Sequence, residues 1–215
     1  LGARVVSFDY DPDSVACTTA LRRRYRADDA HWQVLGGSVL DRGFLATLGR
    51  FDVVYSWGVL HHTGAMWDAL DNVANLVAGD GTIAVAIYND QGRASRRWLA
   101  VKRAYNRLPA GLRGLVLIPC WLRLWGPTLL RDSLQGDPLG SWRRYAAETV
   151  RGMSPWRDLV DWVGGLPFEV ARPEQLLDYY RHRGFELTAL KTCAGGIGCN
   201  EFVFAKRQPR AERSG

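Results

Sequence analysis

Four short apolar runs, each followed by a stretch with helical spacing, constrain this chain more than any other feature: residues 4–8, 31–35, 51–56 and 82–88. Strands alternating with helices predict a parallel sheet covered by helices. The first run ends on Asp9, and Asp11-Pro12 behind it supplies a helix cap and a proline for the first helical position. Gly36-Gly37-Ser38-Val39-Leu40-Asp41 follows the second run, and Phe44, Leu45 and Leu48 then mark a short helix. The third run, rich in Val and Tyr, suits burial on both faces. Trp67, Leu70, Val73, Ala74 and Val77 repeat at helical spacing over residues 66–77, with Gly79-Asp80-Gly81 read as the helix stop. The fourth run is almost wholly apolar and belongs in the middle of a sheet.

After Asp90 the pattern changes. Residues 91–166 show no strand alternation; Trp98, Val101, Tyr105 and Leu108 share one helical stripe, residues 112–124 form a second helical candidate, and residues 137–140 a loop. This is the pattern of a helical insertion. It holds six of the nine tryptophans and 13 Lys and Arg against 5 Asp and Glu, so the formal charge of +6 belongs to this segment. Such a segment suits an acidic substrate, a nucleic acid or an anionic membrane surface, or is a solvated face. A helix opened by Pro173 and ended by Gly184 then leads to two strands, residues 185–191 and 200–206, whose short Gly-rich connection makes them antiparallel. The expected fold is α/β: a doubly wound, mostly parallel sheet with a C-terminal antiparallel hairpin and a helical insertion. Residues 1–90 make a partial core, 91–166 the insertion, 167–207 the helix and hairpin that complete the core, and 208–215 a disordered tail.

Several classes are disfavoured. No apolar run approaches the roughly 18–20 residues of a membrane span, and the nearest, residues 115–124, contains Pro119 and Arg123. The N-terminus lacks the features of a signal peptide, and the four scattered cysteines suit reduced thiols, so a cytoplasmic location is expected. Gly195-Gly196-Ile197-Gly198 precedes no helix and reads as a hairpin turn rather than a phosphate cradle. Cys193 and Cys199 offer two metal ligands with no histidine nearby, so no metal site is expected.

In this order and spacing, the parts resemble the class I S-adenosylmethionine-dependent methyltransferases. The resemblance rests on residues 5–11, on Gly37-Ser38-Val39-Leu40-Asp41, on residues 51–62, on Gly79-Asp80-Gly81-Thr82 and on the strand ending Tyr88-Asn89-Asp90. It implies an enzyme with S-adenosylmethionine as cofactor. It also implies that Asp9, followed by Tyr10, accepts from the ribose hydroxyls, as strand-end acids do in dinucleotide-binding folds. Ser38 and Val39 would meet the adenine, in place of the acidic and apolar pair common in the family, with Asp41 either near the adenine or capping the next helix. Ser56, Trp57 and Gly58 would border the methionine moiety. His61 or His62 would serve as general base for a hydroxyl acceptor, or fix the loop before Thr63-Gly64. Asn89, at the end of the fourth run, would orient the substrate, or simply end a strand.

One departure is large. The family binds the methionine end through a glycine-rich loop after a first strand placed mid-sheet, whereas Leu1-Gly2-Ala3 looks like the end of the helix beyond that loop. A fragment of a longer protein is therefore expected, with two strand edges unpaired at about 1–3 kcal/mol for each buried bond left unmade. For the insertion, the resemblance implies a lid over a small-molecule acceptor, aromatic or lipid-like. The alternatives are nucleic-acid methylation, with Arg96, Arg97, Arg143 and Arg144 on phosphates, and a non-catalytic methyltransferase-like binding protein.

Overall fold

Local chemistry fixes the first elements. β1 (Val5–Asp9) runs into Asp11, whose carboxylate accepts from the backbone of Asp13 and Ser14 and from the Ser14 hydroxyl, capping α1 (Pro12–Tyr25). β2 (Trp32–Gly36) lies parallel to β1, from Val5 opposite Trp32 to Asp9 opposite Gly36. α2 (Arg42–Leu48) is capped by Asp41, which accepts from Phe44 N at 3.0 Å. β3 (Phe51–Trp57) and α3 (Met66–Asn75) follow, then β4 (Val77–Tyr88). This computed structural model describes residues 2–27, 29–148, 152 and 154–207; the tail expected at 208–215 lies outside the described residues.

The chain divides into two units, Leu1–Asn89 with Ala171–Gly215, and Asp90–Val170. The second is helical: α4 (Arg93–Arg107), α5 (Gly114–Leu134), α6 (Gly140–Glu148) and α7 (Pro155–Gly164). α8 (Pro173–His182), β5 (Phe185–Lys191) and β6 (Cys199–Lys206) return to the first unit.

In the first unit β3 pairs parallel with β4, β4 antiparallel with β6, and β6 antiparallel with β5, giving the order β3-β4-β6-β5 beside the pair β1-β2. Among the described residues β1 pairs with β2 alone and β3 with β4 alone. The α/β character, the parallel strands and the antiparallel hairpin are as the sequence predicts. Burial of β3 on both faces is not: Val54 faces the core, while Val53 and Tyr55 are 65% and 71% exposed. The helices α3 and α8 supply the core against one face only. Met66, Ala69, Leu70, Val73 and Ala74 of α3 and Leu176 and Tyr180 of α8 pack on Ile83, Val85 and Ile87 of β4 and on Phe202 and Phe204 of β6.

The helix stop also moves. α3 ends at Asn75, where the Leu76 N–H bonds to the carbonyls of Val73 and Ala74, and residues 79–81 fall inside β4. Gly81 is there for close approach, since a Cβ would lie 2.9 Å from the Asp52 carbonyl oxygen.

In the helical unit α5 runs on to Leu134, ten residues beyond the predicted 124, through Pro119 and Pro127. Both prolines are exposed, on turns where a missing N–H need not be replaced inside a core. The inner face of α5 supplies Leu117 and Cys120 to a second core with Tyr105, Leu159 and Val163, against which Trp98, Trp121 and Trp162 pack. Among the described residues no helix is long and apolar enough to cross a membrane.

Candidate active site

The residues singled out from the sequence lie at the carboxyl ends of β1, β2, β3 and β4, where open α/β sheets bind ligands. Asp9 ends β1. Its Oδ1 accepts from Asp11 N at 2.9 Å, its carbonyl accepts from Gly37 N at 3.0 Å, and the side chain is exposed, with Tyr10 exposed beside it. The loop after β2 is therefore tied directly to the end of β1.

Gly37 allows that tie. A Cβ on it would meet the Phe44 ring at 2.4 Å, and that ring stands edge-on to Phe8 at 5.3 Å between centroids. Replacing Gly37 by alanine is expected to cost about 1–3 kcal/mol through overpacking, read as a lowered denaturation midpoint; an unchanged midpoint would show that Phe44 moves freely.

Beyond Gly37, Ser38 Oγ accepts from Leu40 N at 3.1 Å, closing a tight turn. The Val39 side chain packs half-buried on the core, and its carbonyl accepts from Asn72 Nδ2 at 2.9 Å. Asn72 is itself buried on α3 and accepts from Arg42 Nε at 3.0 Å. Asn72 thus pins the Ser38-Val39 loop to α3. The sequence reading missed it, although an Asn within an otherwise apolar helical stripe was a visible signal. Asp41, left open between two roles, is the cap of α2.

At the end of β3, Ser56 is half-buried and Trp57 is partly exposed, and the next residue, Gly58, takes a φ of +75° while its N–H bonds to the Ala86 carbonyl at 3.1 Å. That left-handed turn lifts the chain into a short 3-10 turn at Leu60–His62. His61 is completely buried; its ring lies 3.8 Å from that of Tyr88, and its Nδ1 accepts from Tyr88 N at 3.4 Å. His62 is partly open and stands edge-on to Tyr88 at 5.3 Å. Of the two, His61 joins the turn to the end of β4, and His62 is the one that solvent reaches.

Asn89 is committed to the hairpin. Its Oδ1 accepts from Asn200 Nδ2 at 3.0 Å, its Nδ2 donates to the Gly196 carbonyl at 3.4 Å, and its backbone N–H bonds to Gly198 O at 2.9 Å. Asn200, buried, also accepts from Cys193 N at 3.1 Å. The Gly-rich segment is thus the turn between β5 and β6, clamped onto the end of β4. Among the described residues no cluster of three potential metal ligands is found, and all four cysteines are free. A cleft of about 320 Å³ in this unit is lined by Arg42, Leu45, Arg50, Asn72, Asn75 and Leu76, among others, and by none of the predicted site residues.

Residues 1–83 match the family model for a methyltransferase domain. No curated protein matches the chain. Among solved structures, the chain is similar to PKMT2 from Rickettsia typhi, with a TM-score of 0.58 and 11% identity over 95% of this chain and 44% of that one. It is also similar to magnesium protoporphyrin IX methyltransferase from Synechocystis, solved with bound SAH (TM-score 0.52, 10% identity, 96% of this chain and 65% of that one). A third is an O-methyltransferase family protein from Burkholderia thailandensis (TM-score 0.51, 11% identity, 94% and 43%). The chain spans less than two thirds of the length of each of these. Their common ground with it is the class I methyltransferase fold, a Rossmann-like α/β arrangement.

Proposed function

We propose that this chain serves an enzyme that transfers a methyl group from S-adenosylmethionine to a small-molecule acceptor, aromatic or lipid-like in character. The observation that carries the reading is the alignment of Asp9, the Ser38-Val39 turn and the Ser56-Trp57-Gly58 turn at the carboxyl ends of successive parallel strands of a methyltransferase fold. The residues suit the adenosine half of the cofactor. Asp9 is exposed with one carboxylate oxygen used by Asp11, which leaves the other open to a ribose hydroxyl. Ser38 offers a hydroxyl and Val39 an apolar flank, both held by the Asn72 clamp. The cofactor, when bound, supplies a methyl group on a sulfonium sulfur, an already activated electrophile.

The protein's remaining work is to orient and to exclude water. Trp57 and the Gly58 turn would shape the wall beside the methionine part. His62 would take a proton from a hydroxyl acceptor, and His61 and Asn89 would position the strand end around it. What weighs against a nucleic-acid acceptor is that Trp98, Trp121 and Trp162 are partly buried against the core of the helical unit, which limits them as stacking platforms. Supporting a small acceptor, one of the similar structures is named for magnesium protoporphyrin IX. A cytoplasmic site of action is part of the same proposal.

Calorimetric titration with S-adenosylhomocysteine tests the reading. Replacing Asp9 by alanine removes hydrogen bonds to a charged acceptor and is expected to weaken binding about 10- to 100-fold. Equal affinity in variant and parent would remove Asp9 from the site, and no binding by the parent protein would sink the cofactor assignment.

A further inference from the structure

Helix α5 is apolar on two opposite sides, and only one of them is covered. Its inner side, Val116, Leu117, Cys120, Trp121 and Leu124, packs into the core of the helical unit. At about 100° per residue, Leu115, Ile118, Leu122 and Leu130 fall together within about 120° on the other side, with Pro119 and Gly126 between them and Leu134 at the border. Leu115 is 68% exposed, Leu134 is 82% exposed, and Ile118, Leu122 and Leu130 are each more than half exposed. The stripe runs for about 28 Å. A surface helix normally turns polar residues to water, so an uncovered apolar stripe of this length marks an interaction face.

Charge identifies what the stripe fits. No acidic residue lies on it: the one acid of α5, Asp132, is buried, accepting from Ser141 N and Oγ and from Arg131. Arg123 borders the stripe and is exposed. Arg96, Arg97, Arg103 and Arg107 on α4 are exposed too, and neither they nor Arg123 enter an ion pair among the described residues. The segment that holds them carries 13 Lys and Arg against 5 Asp and Glu. Leucine and isoleucine along one side of a helix, with an unpaired Arg123 at its border and a net positive charge on the segment that carries it, match the interface of an anionic bilayer. Because α5 is not apolar enough to cross a membrane, it would lie in the interface with its outer side down.

We infer that the helical unit docks on anionic membrane surfaces through the Leu115, Ile118, Leu122 and Leu130 side of α5. This surface is independent of the acceptor proposed above. Flotation of the protein with phosphatidylcholine vesicles, and with the same vesicles containing phosphatidylglycerol, tests it. The expected result is flotation with the phosphatidylglycerol vesicles only. A triple Leu115→Ser, Leu122→Ser, Leu130→Ser variant, with its helical circular dichroism unchanged, is expected to lose about tenfold or more in partitioning. Arg123→Gln is expected to weaken binding to the charged vesicles, and added salt to weaken it further. Parent protein that stays with the unbound fraction, or a triple variant that floats as well as the parent, overturns the inference. A lipid-free dimer that the triple variant dissociates would assign the face to a second copy and overturn it equally, as would retention on RNA without flotation.

Discussion

Truncating Phe204 to alanine is expected to lower the stability of the sheet unit by about 3–5 kcal/mol, the largest effect of any single side chain considered. Phe204 is completely buried on β6, the strand that joins the parallel part of the sheet to the edge strand β5. It sits opposite Ile83 of β4 on one side and Leu187 of β5 on the other. Its ring stacks on Tyr180 of α8 at 4.6 Å and lies nearly parallel to Phe202 at 5.8 Å, while Tyr180 stands edge-on to Phe185 at 5.4 Å. Removing the ring opens a cavity whose lining comes from a helix and three strands, none of which can close it without breaking its own pairing. Denaturant unfolding followed by circular dichroism should show the midpoint falling with the slope retained. A loss under about 1 kcal/mol would mean that the site collapses around the truncation. β6 also carries Asn200, so the same variant should loosen the clamp on Asn89 and the strand end that His61 holds.

What the sequence revealed follows the range of the interactions involved. Period-two and helical spacing are local, and β5, α8 and the cap at Asp11 were readable to within a residue or so, while Asp41 stood open between a cap and an adenine contact. The end of α3 was misplaced because Gly79-Asp80-Gly81 resembles a stop signal. In the folded chain the strand pairing of Phe51 with Val77 begins two residues earlier, and Gly81 answers to a backbone contact with Asp52. α5 is expected to end at 124 because helical periodicity weakens after Trp125; in the folded chain the further turns to Leu134 are anchored by a polar residue, the buried Asp132, which accepts from Ser141 N and Oγ. The site divided in the same way. Asp9, Ser38, Val39 and Gly58 were legible as strand ends of a parallel sheet. The Asn89–Asn200 bond spans 111 residues and has no local signature, so the sequence leaves Asn89 open between a substrate contact and a strand end, and the structure shows its amide held by the hairpin. The two adjacent histidines could not be told apart until the turn at Leu60–His62 buried one and left the other open.

Lys102 had a signal that went unread: it lies four residues after Trp98 and three before Tyr105, within the very stripe that marked α4 as packed. The structure buries it completely. Its ammonium donates to the Trp162 carbonyl and lies over the rings of Trp162 at 4.4 Å and Phe168 at 4.9 Å. Burial pushes the amine down from an ordinary 10.5 to about 8, with Asp161 and Cys120 pulling it back up. Below about pH 8 both folded and unfolded chains hold the proton, and the whole desolvation penalty weighs on the folded state. Between about pH 8 and the unfolded value the unfolded chain binds the extra proton, so this group makes stability rise with pH across that window. The difference amounts to about 3 kcal/mol. Replacing Lys102 by methionine keeps the volume of the stem and removes the charge. The variant is therefore expected to be more stable than the parent near neutral pH, with an advantage that shrinks from about pH 8 upward. Thermal unfolding of both proteins from about pH 7 to about pH 10 reads this directly. If the two curves keep a constant separation, the amine is not the titrating group. If the variant is the less stable at neutral pH, the carbonyl bond and the two aromatic rings outweigh the cost of burying the charge.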